Sequence, residues 1–384
     1  MTGMGVVATA GQGKDAFWEG LLADPADGPR EIADWDPTPW FGPKEVRRSD
    51  RYTQFAVAAA DMALLDAGPL GADLDRSGVL LATGVGGLHT LEEQIVLRHE
   101  KGARRVSPFL VPMMMANAAG AAISMRWGWR GPCEATVTAC AASTHAIGNA
   151  ARLIASGVCD AVLTGGSEAA ITPTGMAGFS NMTALSTSGV SRPFDTGRDG
   201  FVIAEGAGVL ILENLEAALA RGAHVYGEVV GAASTADAYH ITAPDPQGLG
   251  ATRALKAAMF DGRIQAEDVV HVNAHATSTP VGDKPEYVAL KTALGQQVES
   301  VAVSATKSQM GHLLGASGAV EAVLTVLAVY ERKAPVTINL ENQDPEIPFD
   351  VVTKARDLPS GSIVALSNSF GFGGHNAVIA VRSV

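Results

Sequence analysis

One pattern occurs twice in this chain: a β-branched strand, a sharp corner, an Ala- and Gly-rich helix, and a second strand that runs into glycines. In the first half, Ala135-Thr136-Val137-Thr138 favours an extended strand. Ala141 to Gly157 then carries Ile147, Ala150, Ala151, Leu153 and Ile154 at helical spacing, and Ala161-Val162-Leu163-Thr164 meets Gly165-Gly166. In the second half, Val301-Ala302-Val303-Ser304 leads to a helix over Leu313 to Arg332 and later to Val364-Ala365-Leu366-Ser367-Asn368 with a glycine cluster. Two similar halves, residues 1–230 and 231–384, sharing one central site account for both the length and the repeat. Further strands at Gly78 to Thr83 and Val269 to Asn273 alternate with helical segments, which predicts a layered α/β architecture.

Composition excludes several classes. With 384 residues, 47% hydrophobic content and 18% charge, the chain buries a large core. The longest apolar run, Gly318 to Tyr330, is broken by Glu321, so no membrane span is expected, and the N-terminus has no basic region followed by a hydrophobic one. The reading is a non-exported, cytoplasmic protein. Three cysteines, Cys133, Cys140 and Cys159, without CxxC spacing speak against a disulfide framework or a zinc site. A net charge of −12 speaks against non-specific nucleic-acid binding.

Nucleotide motifs fail as well. Gly84-Val85-Gly86-Gly87 does not complete GxGxxG, and Gly13-Lys14 has Ala8 and Asp15 where a P-loop needs Gly and Ser or Thr. Gly315-Ala316-Ser317-Gly318 lacks the GxSxG spacing of a serine hydrolase.

What remains is chemistry around Cys140. The pattern places it at a strand-to-helix corner, where unpaired N–H groups and the helix dipole favour an anion, so its thiol is expected to ionise more readily than a free one. A buried structural cysteine is the alternative. "NAHATSTPVGD" puts His275 just after an apolar strand, and "TKSQMGHLLGASGAVEA" puts Lys307 and His312 before the second Ala/Gly-rich helix. Each is open to a structural reading. Glu321 interrupts an apolar helix face and needs a buried partner, either Lys307 or a cation. "NSFGFGGHN", with glycines at 371, 373 and 374, permits backbone approaches suited to aiming an N–H at an oxyanion.

Together these stretches resemble the β-ketoacyl-acyl carrier protein synthases, most closely the type II enzymes of fatty-acid synthesis. The likeness runs from "TGMGVV" at residues 2–7 through "SRPFDTGRDGFVIAEGAG" at 191–208 to "NSFGFGG". It implies the thiolase fold, five layers α-β-α-β-α from two duplicated halves, and a homodimer. It casts Cys140 as the acylated nucleophile, His275 and His312 as the histidine pair, and Lys307 with Glu321 as supporting charges. Phe372 matches a gating phenylalanine whose N–H, with that of Cys140, forms the oxyanion hole. Thr277, Thr279 and Thr242 match positions along the phosphopantetheine arm, and Val85, Leu110 and Phe201 positions for the acyl substrate. Asn273, Glu321 and Asn368 match groups that surround a structural cation in relatives. No cofactor or catalytic metal is implied.

The implied reaction is decarboxylative condensation of an acyl chain on Cys140 with malonyl-acyl carrier protein. The alternative is a type II polyketide ketosynthase paired with a chain-length factor. A degradative thiolase needs a second cysteine near the C-terminus, a chalcone-type synthase uses Cys-His-Asn, and a chain-length factor lacks the nucleophile; none of these patterns is met. Two positions depart from the family: Ala276 stands in place of a glycine, and Thr183 where a carrier-docking arginine is common. The basic cluster of Lys44, Arg47, Arg48 and Arg51, with Arg104 and Arg105, is read as a dock for the acidic carrier or as a solvated helix face.

Overall fold

A computed structural model of the chain describes residues 1–21 and 28–384. Its frame is two mixed sheets. The first runs, edge to edge, Gly11–Gln12, Gly3–Ala8, Gly206–Glu213, Ala161–Glu168, Ser77–Ala82 and Cys133–Thr136. The second runs Glu228–Ala236, His375–Arg382, Val364–Gly371, Val269–Asn273 and Ala302–Ser304. With the two-residue Gly11–Gln12 set aside, both sheets pair in one sequence, antiparallel twice and then parallel twice. The repeat seen in the sequence is therefore a repeat of topology. The second sheet opens at Glu228, so the expected join at residue 230 falls inside its first strand rather than between the sheets.

Two helices lie between the sheets, Ala142–Ala155 and Ser317–Glu331, and they also pack on each other. Outside the first sheet lie Arg51–Ala67 and Ala118–Trp127; Leu249–Asp261 covers the second, with Asp283–Leu294 packed beside it. The result is five layers, helix and sheet alternating. The inner strands Ser77–Ala82 and Ala161–Glu168 are buried along their whole length, as strands covered on both faces must be. Ser317–Glu331 is buried from Ser317 to Val329, and a helix so largely apolar on every face belongs in an interior layer. No helix among the described residues is long and apolar enough to cross a membrane.

Close approach of sheet to central helix depends on glycine. A Cβ at Gly208 would lie 2.7 Å from the backbone of Ala319 and Val320. Gly208→Val is expected to push that helix off the sheet and to cost about 1–3 kcal/mol, the range for overpacking. Chemical denaturation should show a lower midpoint with an unchanged slope.

Candidate active site

The strand before the thiol ends at Thr136, two residues earlier than expected, and the helix after it starts at Ala142. Between them Ala139 has φ of 50°, in the left-handed region that costs an L-residue roughly 1–2 kcal/mol. This turn sets Cys140 at the head of the central helix, facing the second half of the chain. Cys140 is buried, and its Sγ lies 3.1 Å from His312 Nε2.

His312 follows the left-handed Gly311 and sits just before the short turn Leu314–Ala316. The Leu314 N–H donates to its Nδ1 (3.2 Å), and the Ser317 hydroxyl lies 2.7 Å from the same nitrogen. With Nδ1 used as an acceptor, the proton of the neutral ring sits on Nε2 and points at the sulfur. His275 follows the strand Val269–Asn273, its ring centroid 5.5 Å from that of His312. Burial, helped by the charge of Lys307, holds both imidazoles well below their ordinary pKa, so both are neutral at pH 7. The sulfur and one nitrogen from each ring lie within 4.8 Å of one another, a donor set that zinc accepts in other proteins. Here the Nδ1 acceptor role of His312 leaves a proton, not a lone pair, facing the sulfur.

Lys307 is itself buried and ion-paired with Glu321, whose carboxyl is pushed up to about 7 by burial. The site opens into a cavity of about 550 Å³, lined by Val85, Phe201, Thr242, Thr277, Thr279 and Phe372 among others. A thiol, two neutral imidazoles and a buried ammonium at the base of a long, mostly apolar cavity suit acyl transfer and stabilisation of an enolate.

Comparisons agree with that chemistry. Residues 28–218 match the β-ketoacyl synthase N-terminal domain and residues 226–341 its C-terminal domain. The chain is 48% identical to a 3-oxoacyl-[acyl-carrier-protein] synthase 2 of Synechocystis sp. and 44% identical to one of Staphylococcus aureus, each alignment covering all of this chain and 97% of the relative. Among solved structures, the ishigamide ketosynthase/chain length factor matches with a TM-score of 0.92 at 31% identity, over the whole of this chain and 98% of that one. The chain belongs to the β-ketoacyl synthase family.

In this synthase most residues picked from the sequence meet at one place: Cys140, His275, His312, Lys307, Glu321 and Phe372, with the three threonines, Val85 and Phe201 along the cavity. Leu110 does not join them; it starts the short helix Leu110–Met114, outside the cavity lining. Phe179, Met182 and Thr183, on the segment that faces Phe201, line the cavity instead. Of the basic cluster, Lys44, Arg47, Arg48, Arg104 and Arg105 are exposed. The Arg48 guanidinium stacks 4.4 Å from the Phe109 ring. Arg51 is no part of a docking face, because it is tied to the buried carboxylate of Glu205 at 2.5 Å.

Glu286 was missed. Its carboxylate accepts from the N–H groups of His275 and Ala276, both at 2.8 Å, and from Asn368 Nδ2 at 3.0 Å. That clamp holds Ala276 at φ of 24°, positive for a residue with a Cβ. Its only sequence signal is an acid three residues after Asp283 at the start of a helix. Near it, Glu321 Oε2 and Asn368 Oδ1 are buried oxygens without a donor among the described residues, a set that fits a hard cation. Asn273 Oδ1, in contrast, accepts from the Thr306 hydroxyl at 3.0 Å.

The thiol corrects the expectation of easy ionisation. Burial raises its pKa to about 11, and the charge of Lys307 and the N–H groups of Phe372 and Cys140 lower it by less. Depth outweighs the helix terminus. Because the raised value lies above the working range, the thiolate fraction should climb about tenfold per pH unit from pH 7 to 9 without a plateau. Iodoacetamide alkylation of Cys140, followed by peptide mass spectrometry, should trace that rise, and Lys307→Met should move it to still higher pH.

Proposed function

We propose that this synthase elongates acyl chains by decarboxylative condensation with malonyl-acyl carrier protein in fatty-acid synthesis, with Cys140, His275 and His312 as its catalytic residues. The observation that carries the reading is the pair of neutral imidazoles beside a buried thiol, with the N–H groups of Phe372 and Cys140 directed at the sulfur. The first half of the chain supplies the nucleophile and the second, from about residue 231, both histidines and the lysine.

An acyl chain transfers from its carrier to the Cys140 sulfur, and the thiol proton leaves on the departing phosphopantetheine sulfur. The N–H groups of Phe372 and Cys140 stabilise the tetrahedral oxyanion. Malonyl carrier then enters along Thr242, Thr277 and Thr279. His312, through its Nε2–H, and His275 donate hydrogen bonds to the malonyl thioester carbonyl, so that loss of CO₂ leaves an enolate they stabilise. Its carbon attacks the acyl-Cys140 carbonyl and expels the thiolate, giving β-ketoacyl carrier two carbons longer. Burial keeps the histidines neutral, and Lys307 adds to this by opposing a further positive charge; a structural cation against Glu321 and Asn368 would fix the floor of the site.

The enzyme is read as cytoplasmic and homodimeric. The edge strand Cys133–Thr136 is largely exposed, and Val111, Met125 and Val137 are large exposed apolar side chains on or near that side of the first sheet; an edge of this kind pairs readily with a second copy. A polyketide ketosynthase with a chain-length-factor partner is the second reading, favoured by the 31% identical ishigamide ketosynthase/chain length factor. The 44–48% identical synthases weigh toward fatty acids. The chain purified alone should run as a dimer in multi-angle light scattering and condense acyl and malonyl carriers; an inactive monomer supports the polyketide reading.

Two further outcomes are expected. Charge reversal at Arg47 and Arg48 should raise KM for carrier-bound substrates while sparing small acyl thioesters, and added salt should weaken the wild type in the same direction. Cys140→Gln should abolish condensation, because the amide cannot be acylated. Malonyl carrier should still become acetyl carrier, since the glutamine carbonyl occupies roughly the place of the acyl thioester and leaves both histidines free, whereas His312→Ala should suppress that release. Mass spectrometry of the carrier reads the two activities separately.

A further inference from the structure

Glu168 ends a central strand of the first sheet, wholly buried and facing the back of the site, and no step of the condensation uses it. Its carboxylate accepts four hydrogen bonds. Oε2 takes the N–H groups of Gly84 (2.6 Å) and Gly315 (3.0 Å); Oε1 takes the Thr83 hydroxyl (3.0 Å) and the N–H of Val85 (3.4 Å). Every partner is a donor, and these four bonds oppose burial, which still leaves the carboxyl raised to about 7.

The partners belong to two functional segments. Gly84 and Val85 form part of the cavity wall; Gly315 lies in the turn that follows His312, whose Leu314 N–H fixes the His312 tautomer. Neither glycine admits a side chain: a Cβ at Gly84 would lie 2.5 Å from Glu168 Oε2, and one at Gly315 would lie 2.1 Å from the Gly84 nitrogen. Gly315 is also held at its carbonyl by the Ser143 hydroxyl, on the helix headed by Cys140.

We infer that Glu168 is a positioning residue that locks the Val85 wall of the acyl cavity to the His312 turn, so that acyl-chain fit and histidine placement are set by one buried carboxylate. The inference rests on the proposed condensation, with Val85 as a wall of the acyl pocket. Loosening the wall changes which primers fit; loosening the turn moves the group that activates malonate.

Glutamine separates the two. Its single carbonyl oxygen, placed where Oε2 stands, keeps the two shorter backbone bonds to Gly84 and Gly315, and its NH₂ then faces the Val85 N–H. Glu168→Gln should therefore free Val85 while sparing His312, and Glu168→Ala should free both. In steady-state assays with a short and a long saturated acyl primer, the kcat/KM ratio of Glu168→Gln should change roughly fivefold, the order of one lost hydrogen bond, with malonyl decarboxylation unchanged. Glu168→Ala should lose decarboxylation too. Hydrogen exchange gives a readout that needs no activity: the Val85 amide should exchange faster in Glu168→Gln while Gly315 stays protected. A primer ratio equal to wild type, or equal loss with both primers and of decarboxylation, overturns the inference, as does unchanged protection of Val85. If the wild type itself does not condense, the functional reading fails, and the exchange data still decide whether Glu168 locks the two segments.

Discussion

A lysine ammonium is buried at the base of this site with one carboxylate against it, and burial together with that charge sets the charge state of the surrounding groups. Lys307 opposes protonation of His275 and His312 and favours ionisation of Cys140, so one charge pushes three groups toward the forms the proposed reaction needs. Such a charge is costly to bury unless paired, and Glu321 pairs it from a helix whose other buried side chains are apolar except Ser317 and Thr325. The interior position of that helix, which Gly208 permits on the side of the first sheet, brings this carboxylate to that lysine.

Around the pair, backbone groups rather than side chains do the positioning. Glu286 grips consecutive N–H groups at His275 and Ala276, and Leu314 N–H sets which nitrogen of His312 carries the proton. Carboxylates that accept from N–H groups fix loops more tightly than packing does, because each such bond is charge-assisted and directional in a medium that excludes water. The left-handed residues Ala139 and Ala276 persist at the site because their surroundings hold them there.

Much of this was legible in the sequence, and what was not has a common cause. The repeated strand-helix-strand pattern gave the two sheets because β-branched runs and Ala/Gly-rich helices are local signals, and the motifs around Cys140, His275 and His312 sit at strand ends or helix starts, where such signals are strong. Depth is not local. The thiol sits near a helix start, as expected, yet its burial raises its pKa instead of lowering it. Glu286 reads in sequence as an ordinary acid in the first turn of a helix, and Glu168 as the polar end of a strand; only the tertiary fold turns them toward backbone N–H groups. The family resemblance matches Leu110 to an acyl-substrate position, but the chain there turns into a short helix outside the cavity lining.

The raised thiol pKa bears on how acyl transfer begins. A neutral His312 whose Nδ1 already accepts the Leu314 N–H, and whose Nε2 carries its own proton, has no free lone pair with which to take a proton from Cys140. Forming an imidazolium there would also set a second positive charge beside Lys307. In the proposed reaction the sulfur is therefore activated by stabilising its anion, through Lys307, the Nε2–H of His312 and the N–H groups of Phe372 and Cys140, rather than by a resident base. Those same donors are what an oxyanion or an enolate requires. Under that proposal one arrangement of neutral donors around a buried ammonium serves thiolate, tetrahedral intermediate and enolate in turn, without any histidine changing its charge.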